Sequence, residues 1–290
     1  MATFVDHLQL LPVPSVGGVR QPDGDHRPGG LGLFTLADRL VERGWTARVE
    51  DIGFDREMPE LRVAEAYARS IGDAVASAWD RDRFPVLLSR VNYGALGVVD
   101  ALGSRTGLLW IGPRAEYRRP GLLRRPAVDR TALSLVTGRA ERDPFAVEPV
   151  RLDASRVVVV DARDVSGSER RALVEDGASI VSPASAEIVA ERVAGIDADR
   201  WYAHLDLRAL AGEAAPAADE GYDDGLDPEL AAEIVAEALG DREIGCVGYA
   251  RYDLNRDVEE RTASTLVELI ESAVLAAGGR PRPEAVGEAR

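Results

Sequence analysis

Short runs of β-branched and other apolar residues alternate along this chain with longer stretches whose apolar positions recur at helical spacing. The short runs predict strands over Phe4 to Leu11, Thr46 to Asp51, Pro85 to Ser89, Gly107 to Ile111, Arg156 to Val160, Ala178 to Val181, Tyr202 to Leu207 and Glu243 to Tyr249. Several, notably Val157-Val-Val-Val160, are apolar at every position, as a sheet covered on both faces requires. The longer stretches predict helices over Leu31 to Arg43, Met58 to Ala78, Ser166 to Asp176, Asp227 to Leu239 and Arg261 to Ala277. Their ends carry chemical signals. Ser166-x-x-Glu169 forms a capping box, Asp227-Pro228 supplies an N-cap followed by proline in the first turn, and Gly44 and Gly177 follow two C-termini. Strand–helix alternation of this kind is the signature of an α/β protein with a mostly parallel central sheet in three α/β/α layers. One domain over residues 1–278 is expected, with 279–290 a flexible tail rich in Pro, Gly and charge.

Two segments, Pro12 to Gly30 and Arg114 to Arg130, read as ordered loops, the kind that carry function or contact partners. No apolar run is long enough for a membrane span, and the N-terminal apolar stretch lacks a basic flank, so it reads as a buried first strand and not a signal peptide. A cytoplasmic protein is expected.

Composition narrows the chemistry. All 35 basic residues are arginine. Without lysine there can be no Schiff-base nucleophile and no phosphate-loop lysine. A net charge of −15 opposes binding to nucleic acid or an anionic membrane. The single cysteine, Cys246, excludes an internal disulfide and sits in an apolar run, where it reads as a small buried hydrophobe. There is no Gly-x-Ser-x-Gly elbow and no Cys-x-x-Cys pair. Pro28-Gly-Gly-Leu-Gly32 matches no dinucleotide fingerprint, and Asp219 to Asp224 reads as a solvated acidic loop more readily than as a calcium site. The three histidines, His7, His26 and His204, show no metal-ligand spacing. His204 lies two residues from Asp206 on a strand and so shares its face, which leaves open both a general-base pair and a satisfied core histidine.

Six segments together resemble the arginase/agmatinase (ureohydrolase) family in order and spacing. Pro85-Val-Leu-Leu-Ser-Arg-Val-Asn-Tyr-Gly-Ala-Leu-Gly97 is similar to that family's strand, Gly-Gly-Asp-His-Ser turn and following helix. Leu108-Leu-Trp-Ile-Gly-Pro-Arg-Ala-Glu-Tyr117 sits where its Asp-Ala-His-Ala-Asp segment is expected, and Thr131-Ala-Leu-Ser-Leu-Val-Thr-Gly138 resembles the helix after its His-Gly-Met turn. Tyr202-Ala-His-Leu-Asp-Leu-Arg-Ala-Leu210 falls at the Ser-x-Asp-x-Asp strand, and Gly225-Leu-Asp-Pro-Glu-Leu230 resembles the Gly-Gly-Leu start of a helix. Gly248-Tyr-Ala-Arg-Tyr-Asp-Leu-Asn-Arg-Asp257 with Arg261-Thr-Ala resembles the Glu-x-x-Pro-x-x-Asp strand end and last helix.

The resemblance implies an arginase-like fold, and active members of the family hold two manganese ions through aspartates and histidines. Here the ligand positions it points to carry Asn92, Gly112, Arg114, Glu116, Asp206 and Arg208. Only Asp206 is retained, with Glu116 a conservative change. The histidine of the His-Gly-Met turn corresponds to Asp129, and the glutamate that receives the substrate guanidinium corresponds to Arg251. Two carboxylates do not replace six ligands, and a guanidinium about 4 Å from a dication is repelled by several kcal/mol even at an effective dielectric near 20. Arginine cannot lose its proton to become a ligand. The expectation is therefore no metal cofactor, with Arg114, Arg208, Arg251, Glu116 and Asn92 lining the strand-end crevice.

Two readings of that crevice stand side by side: a salt-bridge plug filling the vacated site, or an arginine-lined pocket for a small anion. In either case a non-catalytic binding or partner subunit is expected, alone as a homo-oligomer or assembled with an active relative. The alternative is a divergent hydrolase of guanidino or amide C–N bonds, for which His204, Asp206 and Asp129 are the candidate catalytic groups. No nucleic-acid or membrane partner is expected.

Overall fold

A computed structural model describes residues 6–13, 31–50, 52, 60–118, 128–139, 151–218, 222–253, 256–257 and 259–282 of the chain. Eight strands form one sheet: β1 His7–Val13, β2 Thr46–Val49, β3 Phe84–Ser89, β4 Thr106–Gly112, β5 Val157–Asp161, β6 Ser179–Val181, β7 Arg200–Asp206 and β8 Ile244–Ala250. Their order is β2-β1-β3-β8-β7-β4-β5-β6, and every pairing is parallel. Among the described residues there are eight α-helices: α1 Leu31–Glu42, α2 Glu60–Asp80, α3 Ala95–Leu102, α4 Ala132–Val136, α5 Gly167–Glu175, α6 Ala186–Ala194, α7 Pro228–Leu239 and α8 Arg261–Ala276. No helix among the described residues is long and apolar enough to cross a membrane.

The side-chain alternation of a strand divides the core into two halves. On β7, Trp201, Ala203 and Leu205 face a core shared with α1, α6, α7 and α8, whereas Tyr202 faces the opposite core beneath α2, α3, α4 and α5. The central strands β3, β4, β5 and β8 are buried at every position, which is why they read as continuous apolar runs. Helix α3 approaches α2 so closely that a Cβ at Gly97 would lie 2.2 Å from the Ala68 carbonyl oxygen. Only glycine permits that contact.

All eight expected strands are present, with ends displaced by up to three residues. β1 starts later than expected and runs through Pro12 to Val13, so the loop expected from Pro12 does not begin there. Both expected N-caps form, although the Glu169 carboxylate of the expected capping box accepts from the Tyr117 amide and the Ser166 hydroxyl. Ser166 accepts from the Glu169 amide, and Asp227 accepts from the Glu229 amide with Pro228 behind it. Helix α6 has no counterpart among the sequence-derived helices, although Ser185 caps it and Val189 and Val193 bury its inner face. At the other end of the chain, the Arg282 amide donates to the Gly44 carbonyl at 2.8 Å and its guanidinium pairs with Asp6, while 283–290 lie outside the described residues. Residues 14–30, with His26, most of the second expected loop (119–127), Met58 and Asp219 also lie outside them.

Candidate functional site

The C-terminal ends of β3, β4, β5, β7 and β8 meet on one side of the sheet, where an open α/β sheet forms its ligand crevice. Asn92 opens a short 3-10 turn just beyond β3 and is fully buried. Gly112, Arg114 and Glu116 follow along the exit of β4. Asp206 ends β7 and accepts from the Arg208 amide, capping another 3-10 turn. Arg251 follows β8.

A continuous chain of buried polar contacts runs along one face of β7 and across these exits. The Tyr202 hydroxyl lies 2.9 Å from His204 Nδ1, and His204 Nε2 lies 3.1 Å from Asn92 Oδ1. Asn92 Nδ2 donates to Asp206 Oδ2 at 2.9 Å. The pattern is consistent in one direction only: the amide orientation that serves Asp206 leaves Oδ1 to accept from His204 Nε2–H, so Nδ1 accepts from Tyr202. His204 and Asp206 do share a strand face, but Asn92 joins them; they do not pair directly. Trp110, directly opposite His204 in register on β4, stacks on the imidazole at 4.0 Å between ring centres. Gly248 on β8 makes room for the tyrosine: a Cβ there would lie 2.2 Å from the Tyr202 hydroxyl.

Beyond Asp206 the chain of contacts ends on charge. Arg208 Nε donates to both Asp206 oxygens, at 2.9 and 3.1 Å, and its terminal nitrogen contacts Asp206 and also donates to Glu116 Oε1 at 3.1 Å. All three side chains are buried, Arg208 at 1%, Asp206 at 0% and Glu116 at 3% exposure. Burial alone would neutralise such groups; their mutual field keeps the cluster ionic. Burial opposes ionisation of Asp206, yet Arg208 and the hydrogen bonds from Arg208 and Asn92 overcome it and hold the carboxyl below its usual range. Burial prevails at Glu116, only partly offset by Arg208, and its carboxyl is lifted. Burial and the Arg208 charge bring His204 down to about 4, with Asp206 acting the other way, so the imidazole is neutral near neutral pH.

The other expected arginines reach the same region. Arg114 pairs with Asp164 at 2.7 Å. Burial lowers the pKa of the half-buried Arg251 guanidinium; the field of Glu116 opposes that shift, and the charges of Arg114 and Arg90 add to it. Arg90, at the exit of β3, engages Asp253 at 2.8 Å. Asp129 lies in the 3-10 turn Val128–Thr131. His7 is far from the crevice, partly exposed beside Asp6 at the start of β1. Cys246 is fully buried in the apolar core, and burial pushes its thiol pKa up, as suits a packing residue and not a nucleophile.

Backbone strain gathers at the same exits. Among the described residues, six other than glycine have positive φ, and four of them, Glu116, Asp161, Ala162 and Arg251, stand at the ends of β4, β5 and β8. Each left-handed non-glycine costs roughly 1–2 kcal/mol. Such residues concentrate where side-chain direction matters more than local comfort.

The fold matches that of known proteins over nearly the whole chain. An arginase from Bacillus caldovelox superposes with a TM-score of 0.74 at 20% identity, covering 93% of this chain and 98% of that one. This is the arginase fold. A formimidoylglutamase from Bacillus subtilis subsp. subtilis str. 168 shares the fold at a TM-score of 0.68 and 12% identity, covering 94% of this chain and 87% of that one. The agmatine ureohydrolase of Thermoplasma volcanium gives 0.67 and 13%, with 95% and 91% covered. No family model matches the chain, and no curated protein matches it significantly. Asp206 and Glu116 are both engaged by Arg208, the Asn92 oxygen faces His204, and Gly112 offers no side chain. No group of three His, Cys, Asp or Glu among the described residues is arranged to hold a metal ion.

The Asp161–Arg163–Asp164 exit of β5 went unremarked in the sequence. Its signal was present in the charged residues that break the apolar run Val157 to Val160.

Proposed function

We propose that this chain is a non-catalytic member of the arginase fold, in which an internal arginine–carboxylate cluster stands where active relatives carry metal, and that it serves as a binding or partner subunit. The observation that carries this reading is Arg208, buried and shared between Asp206 and Glu116. These two are the only carboxylates left among the positions expected to hold metal, and each is engaged by a cation that cannot be deprotonated. A dication entering here would have to displace a guanidinium tied to the same strand end.

Charge pairing favours the plug over an anion pocket. Arg90, Arg114 and Arg208 each engage a carboxylate, respectively Asp253, Asp164 and the Asp206–Glu116 pair. An added anion would compete with those partners. The test combines elemental analysis of the purified protein with assays for urea release from arginine and agmatine. Sub-stoichiometric manganese, nickel and zinc, and no urea, are expected. Stoichiometric metal together with urea release would overturn the proposal. Thermal-shift screening against carboxylates and phosphate should show no rise in melting temperature; a saturable rise abolished by Arg251→Ala would favour the anion pocket.

A further inference from the structure

The exit of β5 carries a buried acid for which the plug has no use. Asp161 is 5% exposed, and its Oδ2 has no hydrogen-bond partner among the described residues. It sits in a strained turn, since Asp161 and Ala162 both lie in the left-handed region, with φ of 76° and 45°. The turn is fixed from both sides: the Ala162 amide donates to the Gly112 carbonyl at 2.9 Å, and Arg170 donates to the Ala162 carbonyl at 3.1 Å.

Arg163, two residues on, is the link to the segment Tyr222–Leu226. Its NH1 donates to the Asp224 carbonyl at 2.9 Å, and its NH2 donates to the carbonyls of Arg208 and Ala209 at 3.2 and 3.0 Å. Its guanidinium lies over the Tyr222 ring, 4.9 Å from the centre. The same NH1 is 3.5 Å from Asp161 Oδ1. One nitrogen therefore stands between a carbonyl that anchors the segment and a carboxyl whose charge depends on pH.

We propose that Asp161 is a protonation-controlled latch, which sets through Arg163 how firmly Tyr222–Leu226 is held over the strand ends. With Asp161 neutral, Arg163 is free to serve the carbonyls of Asp224, Arg208 and Ala209. With Asp161 ionised, NH1 is drawn from the Asp224 carbonyl toward Asp161, and the Asp224 carboxylate is repelled. The charged groups that act on Asp161 are Arg163 on its own turn, Asp224 on the held segment and Asp206 at the end of β7, with Arg170 of α5 bonded to the adjoining Ala162 carbonyl. Burial, reinforced by Asp224 and Asp206 and countered by Arg163, raises the Asp161 carboxyl to about 6, which puts the change near neutral pH. The latch does not depend on the plug reading, because neither Arg163 nor Asp161 belongs to it.

Hydrogen exchange on the full-length protein tests this. After correction for intrinsic rates, protection of the peptide spanning Tyr222–Leu226 should be about tenfold greater near pH 5 than near pH 7.5, if opening returns the carboxyl to its ordinary range. Peptides covering β8 should show no such change. Asp161→Asn, permanently neutral, should keep the low-pH protection at both values. A wild-type protein with equal protection at both, or an Asp161→Asn variant that retains the wild-type dependence, would overturn the latch. Should that variant fail to give a cooperative melt, Asp224→Asn serves instead. By removing the repulsion it should narrow the wild-type difference, and an unchanged difference counts against the proposal.

Discussion

Truncating Arg208 to alanine should be among the most destabilising single changes available in this crevice. The guanidinium is 1% exposed and makes bonds to Asp206 and Glu116, which are themselves 0% and 3% exposed. Removing one partner of a buried ion pair leaves charge without compensation and costs about 3–5 kcal/mol. Against a typical stability of roughly 5–15 kcal/mol, that is about a fifth or more of the total. The cost comes from the stranded carboxylates more than from lost contacts, so two rescues should work. The triple replacement Arg208→Met, Asp206→Asn, Glu116→Gln removes the charge together with its partners and should recover most of the loss. Free guanidinium at tens of millimolar should also stabilise Arg208→Ala relative to sodium at equal ionic strength, because the carboxylates would receive the ion they lost. Urea melts followed by tryptophan fluorescence read both, with urea used as denaturant so that guanidinium remains a ligand. A loss below about 1 kcal/mol for Arg208→Ala would refute the reasoning. So would a triple variant no more stable than the single one.

Three further outcomes follow from the hydrogen-bonded chain on β7. His204 titrates near 4 in the folded protein against about 6.5 unfolded, so unfolding takes up a proton between those values. Its contribution is complete above about pH 6.5 and falls by up to about 3 kcal/mol as the pH drops toward 4; the wild-type minus His204→Gln difference in stability should trace that slope, and parallel profiles would dismiss it. Gly248→Ala should cost about 1–3 kcal/mol by driving its methyl into the Tyr202 hydroxyl. Combined with Tyr202→Phe it should be less than additive in a double-mutant cycle, and strict additivity would show that the clash lies elsewhere. Asn92→Asp replaces the amide donor to Asp206 with a second buried acid, so urea melts should show a loss of about 2 kcal/mol or more near neutral pH, shrinking as the solution is acidified; equal loss at all pH values would contradict the assigned hydrogen-bond direction.

Much of this fold was legible because its rules are local. A strand buried on both faces must be apolar throughout, so Val157 to Val160 announced itself. Ser166-x-x-Glu169 and Asp227-Pro228 marked helix starts because a cap is made within one turn of backbone. Helix α6 escaped because its inner face rests on few large side chains, Val189 and Val193 among small and polar neighbours. That Asn92, Arg114 and Arg208 would stand just beyond the ends of β3, β4 and β7 could also be read in one dimension, since it needed only residue identity and order.

What the order of residues could not decide was which charge answers which. Arg114, Arg208 and Arg251 were equivalent in the sequence, yet folding gives Arg208 two carboxylates in the interior and sends Arg114 to Asp164 near the surface. His204 and Asp206 shared a strand face by period alone; that Asn92, more than a hundred residues earlier, would stand between them depends on β3 and β7 lying two strands apart with β8 between. The strained turn at Asp161 is likewise invisible in composition, because a left-handed aspartate is affordable only when neighbouring strands and helices fix it. Residue type determined which groups could be charged, and the parallel packing of the strand ends decided which of those charges would be buried together.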